Sequence, residues 1–451
     1  MGLDFFYSVI FIEEVSKCFS GGFAITCIVQ QYMASPYLYK AGSAFLKEKY
    51  LKPAIQGEKI CSIAITEPGA GSDVANIKTT AKLNGDHYIV NGSKTFITNG
   101  VYGDFLVTVV KTDTEKGVNG ISLLVIDRDA VGVSATKLNK LGWHASDTAE
   151  LAFEDVKVPK ENLIGAEGQG FYYLMNGLQL ERLAGGCMGI GAMDSALTYT
   201  LQYMSERKAF GRPINKFQVL RHKIANLYTE LESARYFLYH ICRVHNDGGF
   251  AVKECSMAKL LISELSDKCM YQCLQMFGGY GYMEEYKIAR MFRDSRIGTI
   301  GGGTSEIMRE IIAKMVVDDT KYESAFDKNK DTSKKITSNQ SAPKPTIARE
   351  IIENLSTRFK EDKAANYSGI FHFQIEGNKG GKFTVNIDKG KIDIQKGLSG
   401  DASCIVDVTD EVYEGVESGK INPQEALMSG QLKVSDLGAM MKFSSLFRRL
   451  S

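Results

Sequence analysis

The chain has 451 residues, which is enough for about three domains of roughly 150 residues each. Its 54 Lys and Arg residues balance 53 Asp and Glu residues, so the net charge of +1 excludes a general attraction to nucleic acid or to an anionic membrane. Nine cysteines at uneven spacing and six histidines without metal-ligand spacing predict neither a disulfide framework nor a metal site.

Residues 1–58 carry apolar side chains at helical spacing and are predicted to form a helical region. Their most apolar run, YSVIFI, lacks a basic leader and continues directly into Glu13 and Glu14, which argues against a signal peptide and a membrane span. The sequence therefore predicts a soluble, intracellular protein. It would lie in the mitochondrial matrix or peroxisome of a eukaryote, or in the cytoplasm of a bacterium.

Two further regions follow along the chain. Residues 59–160 contain short strand-like runs separated by Gly, Asn and Asp turns, namely KICSIAIT, HYIVNGSKTFIT, DFLVTVVKT, GISLLVID and ELAFEDVKV. These runs predict a small antiparallel sheet or barrel. Residues 161–317 return to long helical patterns with few prolines, as a helical bundle requires.

The composition changes abruptly after this bundle. Residues 318–346 are polar, charged and poor in aliphatic side chains, so burial cannot offset their ordering entropy, and we expect a flexible linker. Residues 347–451 contain the alternating runs IFHFQIEG and GKFTVNIDKGKIDIQKG, followed by helical patterns. They predict a separate small α+β domain.

The stretch IGTIGGGTSEIMREI places three glycines before Thr304 and a predicted helix start. A Walker phosphate loop needs Lys at position 304, and a dinucleotide fingerprint needs a third glycine where Glu306 stands, so both are excluded. What remains is a sterically bare loop whose amides and helix dipole could face an anion or a carbonyl oxygen. A flexible turn is the alternative.

Five separated stretches together resemble the acyl-CoA dehydrogenases, in the order and spacing of that family. They are ITEPGAGSD, KTFITNG, ERKAFGRPINKFQ, QMFGGYGYMEEYKIARMFRDSRI and GGGTSEI. The resemblance extends almost from the first residue to Val317, and it implies a partial N-terminal helical domain whose earliest helices are absent. It further implies an antiparallel sheet or barrel domain and a four-helix bundle, in a subunit that binds FAD and oxidises a fatty acyl thioester.

Many members of the family carry the catalytic base just before the Gly-Thr of the glycine-rich loop, where this sequence has Gly302. A substitute is Glu181, whose helical neighbours are all apolar or small: Leu174, Gly177, Leu178, Ala184, Gly185 and Met188. Desolvation on such a face raises a carboxyl pKa and makes a stronger base. A buried Glu paired with a cation from another helix is the alternative. The LERL motif resembles isovaleryl-type and long-chain members, which place their base on this helix.

The resemblance also implies binding residues. For FAD these are Thr66, Gly71, Ser72, Phe96, Ile97, Thr98, Arg207, Phe210, Phe217, Gln218, Gln275, Gly279, Thr304 and Glu306. For the acyl-CoA substrate they are Ser72, Gln179, Arg182, Gly302 and Gly303. Phe96 could instead be an ordinary core residue, Thr98 a strand surface residue, and Arg182 a solvated helix residue.

Residues 347–451 resemble a sterol carrier protein type two domain, chiefly in SGKINPQEALMSGQLKVSDLGAMMKFSSLF. The last helix is predicted to carry an apolar stripe along one face. The stripe is formed by Leu437, Met440, Met441 and Phe447, and Phe443 and Leu446 widen it. Such a stripe suits either a pliable lipid cavity or a plain packed core. The likeness implies a lipid or acyl-CoA ligand, and our hypothesis is that the domain keeps acyl-CoA close to the dehydrogenase through the tether.

The sequence as a whole predicts an FAD-dependent acyl-CoA dehydrogenase for long or branched chains, which forms trans-2-enoyl-CoA. The implied partners are an electron-transfer flavoprotein and further copies of the chain in a homotetramer or homodimer. One alternative is a non-catalytic lipid-binding protein with a degenerate dehydrogenase part. An acyl-CoA oxidase is the other alternative.

Overall fold

A computed structural model describes residues 4–249, 251–318 and 347–447, which fall into two compact units divided near residue 321. The predicted linker lies outside the described residues beyond its first residue, Asp318. Within the described ranges, no helix is both long enough and apolar enough to cross a membrane.

The first unit begins with short helices, as the sequence predicts. They are α1 (Phe5–Ser16), α2 (Gly21–Ile28), α3 (Ser35–Ala41), α4 (Ala44–Leu46) and α5 (Lys52–Gln56). Two π-helical segments, Val29–Ala34 and Lys47–Leu51, join α2 to α3 and α4 to α5.

An eight-stranded sheet follows. Its strands are β1 (Cys61–Ala64), β2 (Thr80–Asn84), β3 (His87–Thr98), β4 (Phe105–Lys111), β5 (Ile121–Asp127), β6 (Val133–Lys137), β7 (Thr148–Pro159) and β8 (Leu163–Ile164). The strand order is β6-β7-β3-β2-β4-β5-β8, and β1 pairs with β4 in the parallel direction. Strands β4 and β5 are buried on both faces, which explains why their sequences are continuous apolar runs rather than alternating ones.

The bundle consists of α6 (Gly170–Glu206), α7 (Gln218–Asn246), α8 (Val252–Phe277), α9 (Lys287–Ser295) and α10 (Ser305–Ala313). Helix α1 packs on this bundle through Glu13, a buried residue whose carboxylate accepts from the Tyr239 hydroxyl at 2.9 and 3.0 Å. Arg235 donates to the same carboxylate at 3.2 Å. A polar cluster on α7 therefore anchors the first helix to the bundle.

Two short strands between α6 and α7, β9 (Lys208–Ala209) and β10 (Arg212–Pro213), form a hairpin in the first unit.

The second unit has the strands β11 (Ser368–Glu376), β12 (Gly381–Asp388), β13 (Lys391–Lys396), β14 (Cys404–Thr409) and β15 (Leu432–Val434). The order in the second unit is β13-β12-β11-β14-β15. Its helices are α11 (Ala348–Glu353), α12 (Asp410–Glu417), α13 (Pro423–Met428) and α14 (Leu437–Ser445).

The predicted apolar stripe of the last helix is only partly present. Phe443, Leu446 and Phe447 are buried in the core of the second unit, and the helix already ends at Ser445. Met441 is 63% exposed, so its place in the stripe was wrong. With the chain leaving the helix before Phe447, the stripe cannot continue at helical spacing.

Candidate active site

Glu181 lies within the first third of α6, on the part of the helix that faces α3 and the start of α8. Its side chain is only 9% exposed, and its helical neighbours Leu174 and Ala184 are buried. The predicted desolvated position is therefore where the structure places this carboxyl group.

The hydrogen-bond partner of Glu181 is a neutral phenol. The Tyr37 hydroxyl donates to Glu181 Oε1 at 3.0 Å. Burial raises the pKa of Glu181 from 4.5 to about 7, against the Tyr37 hydrogen bond and the Arg182 charge, which both lower it. Within the described ranges, no Lys, Arg or His nitrogen lies within 4.0 Å of its carboxylate, so the ion pair that the alternative interpretation requires is absent there.

Gly177 makes this hydrogen bond sterically accessible. A Cβ atom at position 177 would lie 2.0 Å from the Tyr37 hydroxyl oxygen and 2.5 Å from the ring carbon that carries it. The phenol of Tyr37 therefore occupies the volume that any larger residue at position 177 would fill. The sequence placed Gly177 beside Glu181 but gave no signal for Tyr37, which lies 144 residues earlier in the chain.

Two predicted substrate residues flank Glu181 and contact α8. Arg182 is buried and donates from Nη1 to Ser256 Oγ at 3.3 Å, whereas its Nε has no hydrogen-bond partner among the described residues. The solvated-arginine interpretation was therefore wrong. Gln179 is also buried, and its Oε1 accepts from the Ala251 amide at 3.1 Å.

The glycine-rich loop lies against the same stretch of α8. Gly302 and Gly303 have φ angles of +65° and +95°, in the left-handed region that favours glycine. A Cβ at Gly302 would meet nothing within 4 Å, so the loop leaves open space at the position where other sequences carry a base. The buried Lys259 ammonium donates to the Gly303 carbonyl oxygen, and burial lowers the pKa of Lys259 to about 8.

The loop ends in a helix cap, as predicted. The Thr304 hydroxyl accepts from the Ile307 amide at 3.2 Å and caps α10. Glu306 lies in the first turn, where hydrogen bonding to its backbone amide and to Thr304 lowers the pKa of its carboxyl group. The helix start therefore already holds one negative charge.

The turn at residues 65–73 and the strand β3 form a second part of the site. The Thr95 amide donates to the Thr66 carbonyl oxygen at 2.8 Å, and the turn is closed by pairing of Glu67 with Ala70. A Cβ at Gly71 would lie 3.9 Å from the Thr66 side chain, and the adjoining Ser72 is exposed. The two predicted motifs are therefore neighbours in space.

A buried ion pair joins these motifs. Lys94 Nζ donates to Glu67 Oε1 at 2.8 Å and to the Ile65 carbonyl oxygen at 2.9 Å, and both charged side chains are almost fully buried. Glu67 also accepts from the Lys78 and Thr79 amides. Neither charged residue was predicted as functional, although each lies inside a motif that the sequence singles out.

Phe96 is held in an unusual conformation. Its φ angle is +61° and its side chain is 69% exposed, while the pairing of β3 with β7 shifts register between Lys94 and Ile97. The ordinary-core interpretation of Phe96 was therefore wrong. Ile97 is buried in the sheet core, so its backbone alone can face a ligand, and Thr98 is half-buried at the strand end.

Three further predicted FAD residues line one cavity of about 550 Å³ at the other end of α6. Arg207 directly follows α6 as its C-cap residue, and its guanidinium lies 5.4 Å from the centre of the Tyr280 ring. Gln275 lies in the last turn of α8, and Gly279 follows that helix. The structure therefore brings together residues from two separate motifs.

Phe210 and its neighbours form an aromatic projection beside this cavity. Phe210 has a φ angle of +50° and is 95% exposed, and its ring meets that of Phe217 edge to face at 6.0 Å. The guanidinium of Arg212 lies 4.4 Å from the centre of the Phe217 ring, and Gln218 is exposed at the start of α7. A strained, exposed aromatic residue is characteristic of a contact surface.

Family models match four segments of the chain. Residues 1–58 match the N-terminal domain of acyl-CoA dehydrogenases, residues 62–156 the middle domain and residues 168–317 the C-terminal domain. Residues 350–448 match the SCP-2 sterol transfer family.

Individual relatives agree with these matches. The chain is 40% identical over 315 residues to the mitochondrial isovaleryl-CoA dehydrogenase of Arabidopsis thaliana, covering 70% of this chain and 77% of that protein. It is 40% identical over 311 residues to the mitochondrial long-chain specific acyl-CoA dehydrogenase of Mus musculus, covering 68% and 71%. A crystal structure of an acyl-CoA dehydrogenase from Geobacillus kaustophilus is similar with a TM-score of 0.67 and 44% identity, covering 70% of this chain and 84% of that one. The chain therefore belongs to the acyl-CoA dehydrogenase family and carries an SCP2 domain at residues 350–448.

Proposed function

We propose that the protein is an FAD-dependent dehydrogenase that converts long- or branched-chain acyl-CoA to trans-2-enoyl-CoA, with Glu181 as the catalytic base. The observation that carries this proposal is the buried Glu181 carboxyl group, whose hydrogen-bond partner is a phenol and whose pKa is raised to about 7. A base with a pKa near the working pH combines ionisation with strength as a proton acceptor. The substrate class follows the isovaleryl and long-chain relatives.

In the proposed reaction, the substrate loses a proton from the carbon next to its carbonyl group and a hydride from the following carbon, and a double bond forms between them. Glu181 accepts the proton and becomes the neutral acid. FAD, when bound, supplies the acceptor for the hydride. The thioester carbonyl gains negative charge during proton loss, so an amide donor such as that of Gly302 would stabilise it.

The residues present fit FAD at two places. The cavity of about 550 Å³ offers the Arg207 guanidinium to pyrophosphate oxygens, together with Gln275 and the side-chain-free Gly279. The exposed Phe96, held in a left-handed conformation, offers a flat surface suited to an aromatic ring system. Thr66, Gly71, Ser72 and Thr98 would complete that side of the site, and Thr304 and Glu306 would contact the dinucleotide.

The substrate side would be formed by Gln179, Arg182, Ser72 and the glycines of the loop. The open space beside Gly302 would accommodate the acyl chain near its carbonyl group. Arg182 would face the CoA part of the substrate, and its unpartnered Nε is a free donor within the described part of the chain.

The proposed partners follow from the same resemblance. An electron-transfer flavoprotein would reoxidise the cofactor, and further copies of the chain would complete a homodimer or homotetramer. The segment with Arg207, Phe210, Phe217 and Gln218 resembles the one that reaches the FAD of a neighbouring subunit in this family. The exposure of Phe210 supports this arrangement. The SCP2 domain would bind the acyl chain, acyl-CoA or another lipid.

One anaerobic experiment tests the enzyme proposal. The purified full-length protein is expected to carry yellow flavin that bleaches when a long- or branched-chain acyl-CoA is added without oxygen. Flavin that stays yellow would support the lipid-binding alternative. In a parallel aerobic assay, rapid turnover with oxygen as the sole acceptor would support the oxidase alternative.

The assignment of the base is tested by Glu181→Gln, which is expected to lower turnover by at least about 10²-fold while flavin remains bound. The matched control is Glu13→Gln, because Glu13 is equally buried but pairs with Arg235. Glu13→Gln is expected to reduce stability and to leave turnover per folded molecule near that of the wild type. Near-normal turnover of the Glu181 variant would remove the assignment.

The role of the SCP2 domain is tested separately. A protease site placed within residues 319–346 would allow the chain to be cut after purification. If the domain raises the local concentration of acyl-CoA, the apparent KM is expected to rise after cleavage while kcat stays constant. An unchanged KM would contradict the tethering hypothesis alone.

A further inference from the structure

Tyr37 lies on α3, is buried, and contacts the one carboxyl group on which the proposed function depends. We propose that Tyr37 is a positioning residue for Glu181, donating a hydrogen bond that fixes the orientation of the carboxyl group and favours its ionised form. This inference rests on the proposed function, because it assigns a role to Tyr37 only if Glu181 is the base.

The geometry divides the two oxygens of the carboxylate between two tasks. Oε1 accepts from the Tyr37 hydroxyl, whereas none of the hydrogen bonds recorded among the described residues uses Oε2. A carboxylate anchored through one oxygen presents the other in a defined direction. Oε2 is therefore the atom that would receive the substrate proton.

Few groups set the charge state of the Glu181 carboxyl group. Burial raises the pKa of Glu181, and the opposing influences come from the Tyr37 hydroxyl on α3 and from Arg182 on the same helix. On α8, Cys255 influences the pKa of Arg182, and Arg182 in turn lowers the pKa of Lys259; neither α8 residue is among the groups that shift the pKa of Glu181. Tyr37 itself stays protonated, because burial and the adjacent carboxylate raise its pKa well above the ordinary value. The phenol can therefore act as a donor over the whole working pH range.

The space for the Tyr37 phenol is an independent observation. Gly177 lies inside α6, where glycine is less favourable for the helix than alanine. The position is explained by the approach of Tyr37, whose hydroxyl oxygen would lie 2.0 Å from a Cβ there. Gly185, on the same helix, lacks such a neighbour, since a Cβ there would meet nothing within 4 Å.

The test is the pH dependence of kcat/KM for Tyr37→Phe, which removes one oxygen atom and keeps the ring. Without the hydrogen bond, the acidic limb of the profile is expected to move upward by about one pH unit. At pH 7 the activity would fall about 5-fold, and above pH 9 it would return to that of the wild type. A merely structural role would lower activity equally at every pH.

Three further variants keep the test decisive. Tyr39→Phe is the matched control, because Tyr39 lies on the same helix and is 69% exposed, and its profile is expected to match the wild type. Gly177→Ala should displace the phenol and move the acidic limb in the same direction as Tyr37→Phe. Gly185→Ala controls for the effect of alanine on helix stability, measured as the unfolding midpoint.

A second readout does not depend on turnover. The infrared band of the protonated Glu181 carboxyl group, identified by its loss in Glu181→Gln, should titrate at higher pH in Tyr37→Phe. An unshifted band together with an unshifted limb would overturn the inference about Tyr37. Normal turnover of Glu181→Gln would instead contradict the assignment of Glu181 as the base. The two failures are distinguishable, because that result comes from a variant in which Tyr37 is unchanged.

Discussion

Two buried glutamates in the first unit show how the partner decides what a carboxyl group does. Glu67 is held by the Lys94 ammonium and two backbone amides, whereas Glu181 is held by a single phenol. Burial raises the pKa of both groups. At Glu67 the charge of Lys94 and the hydrogen bonds outweigh burial, so its pKa lies below the ordinary value, whereas the pKa of Glu181 is raised to about 7.

The two carboxyl groups therefore have different roles. The ion pair of Glu67 with Lys94 is a structural anchor, whereas Glu181 is the proposed base. A carboxylate with a lowered pKa, bonded through both oxygens, stays ionised near neutral pH and cannot act as a base there, but it can join two segments of chain. Even though burial lowers the pKa of Lys94 to about 8, its ammonium is mostly protonated at neutral pH, so the pair with Glu67 is ionic. Glu181 lacks such a cation within the described ranges and retains the capacity to change its protonation state.

The largest expected effect comes from breaking the anchor. Lys94→Met leaves the Glu67 carboxylate buried without its cation, and we expect the free energy of unfolding to fall by about 3–5 kcal/mol. Chemical denaturation of the purified protein measures this loss. The double variant Lys94→Met/Glu67→Gln removes both charges and is expected to lose less. Equal losses in the single and double variants would show that the unpaired charge is not the cause.

The second effect concerns Glu181 and pH. Its folded pKa of about 7 exceeds the ordinary value of 4.5, so between these pH values the folded protein binds more protons than the unfolded chain. The contribution of Glu181 to the free energy of unfolding is therefore fully present below pH 4.5 and decreases as the pH rises to 7. Glu181→Gln should remove this dependence and gain roughly 3 kcal/mol over the wild type between these limits. Denaturation at several pH values measures it.

The anchor predicts the opposite slope, which is the control for that measurement. Because the pKa of Glu67 is lowered, its contribution is present above its unfolded pKa and is lost as the pH falls through the folded pKa. Glu67→Gln should therefore flatten the acid side of the stability profile, whereas Glu181→Gln flattens the region towards neutrality. Identical profiles for the two variants would contradict the comparison.

The smallest expected effect is a change in stability caused by Phe96, which lies on β3, the strand that carries Lys94. Phe96, two residues after Lys94, adopts a φ angle of +61°, which is unfavourable for a residue with a side chain. Phe96→Gly should stabilise the apoprotein by up to about 1 kcal/mol, and Phe96→Ala should not, because alanine keeps the strain. Both should bind flavin more weakly. A stability gain with alanine would show that exposure of the ring, rather than backbone strain, is the cause.

Much of the fold follows from periodicity. The strand runs HYIVNGSKTFIT, DFLVTVVKT and GISLLVID became β3, β4 and β5, because alternation and continuous apolar runs report directly on burial. The short strands β2, β6 and β8 carry no comparable apolar pattern, and the parallel pairing of β1 with β4 is a tertiary property. Phe447 shows the same limit, since helical spacing cannot tell that α14 stops at Ser445, and Met441 is exposed although it lies inside that helix.

The resemblance to a family named site residues from distant stretches, but local spacing alone predicted the site only where its residues are close in the chain. The position of Glu181 follows from its own helix, because residues three and four positions away define the environment of a side chain. Tyr37 contributes from a different helix, and no local pattern marks it. Lys259 likewise reaches Gly303 across 44 positions. Contacts of this kind are set by packing between helices, which a single sequence does not encode locally.

The length of α6 separates two of the proposed site residues widely. The helix carries Glu181 near one end and is followed directly by Arg207. At 1.5 Å of rise per residue, these two positions lie about 39 Å apart along a nearly rigid rod. They are too far apart to line one cavity of about 550 Å³. In the proposed homodimer or homotetramer, each chain would therefore supply parts of two different sites, and a substitution that shifts α6 would move the proposed base of one site and the guanidinium offered to another.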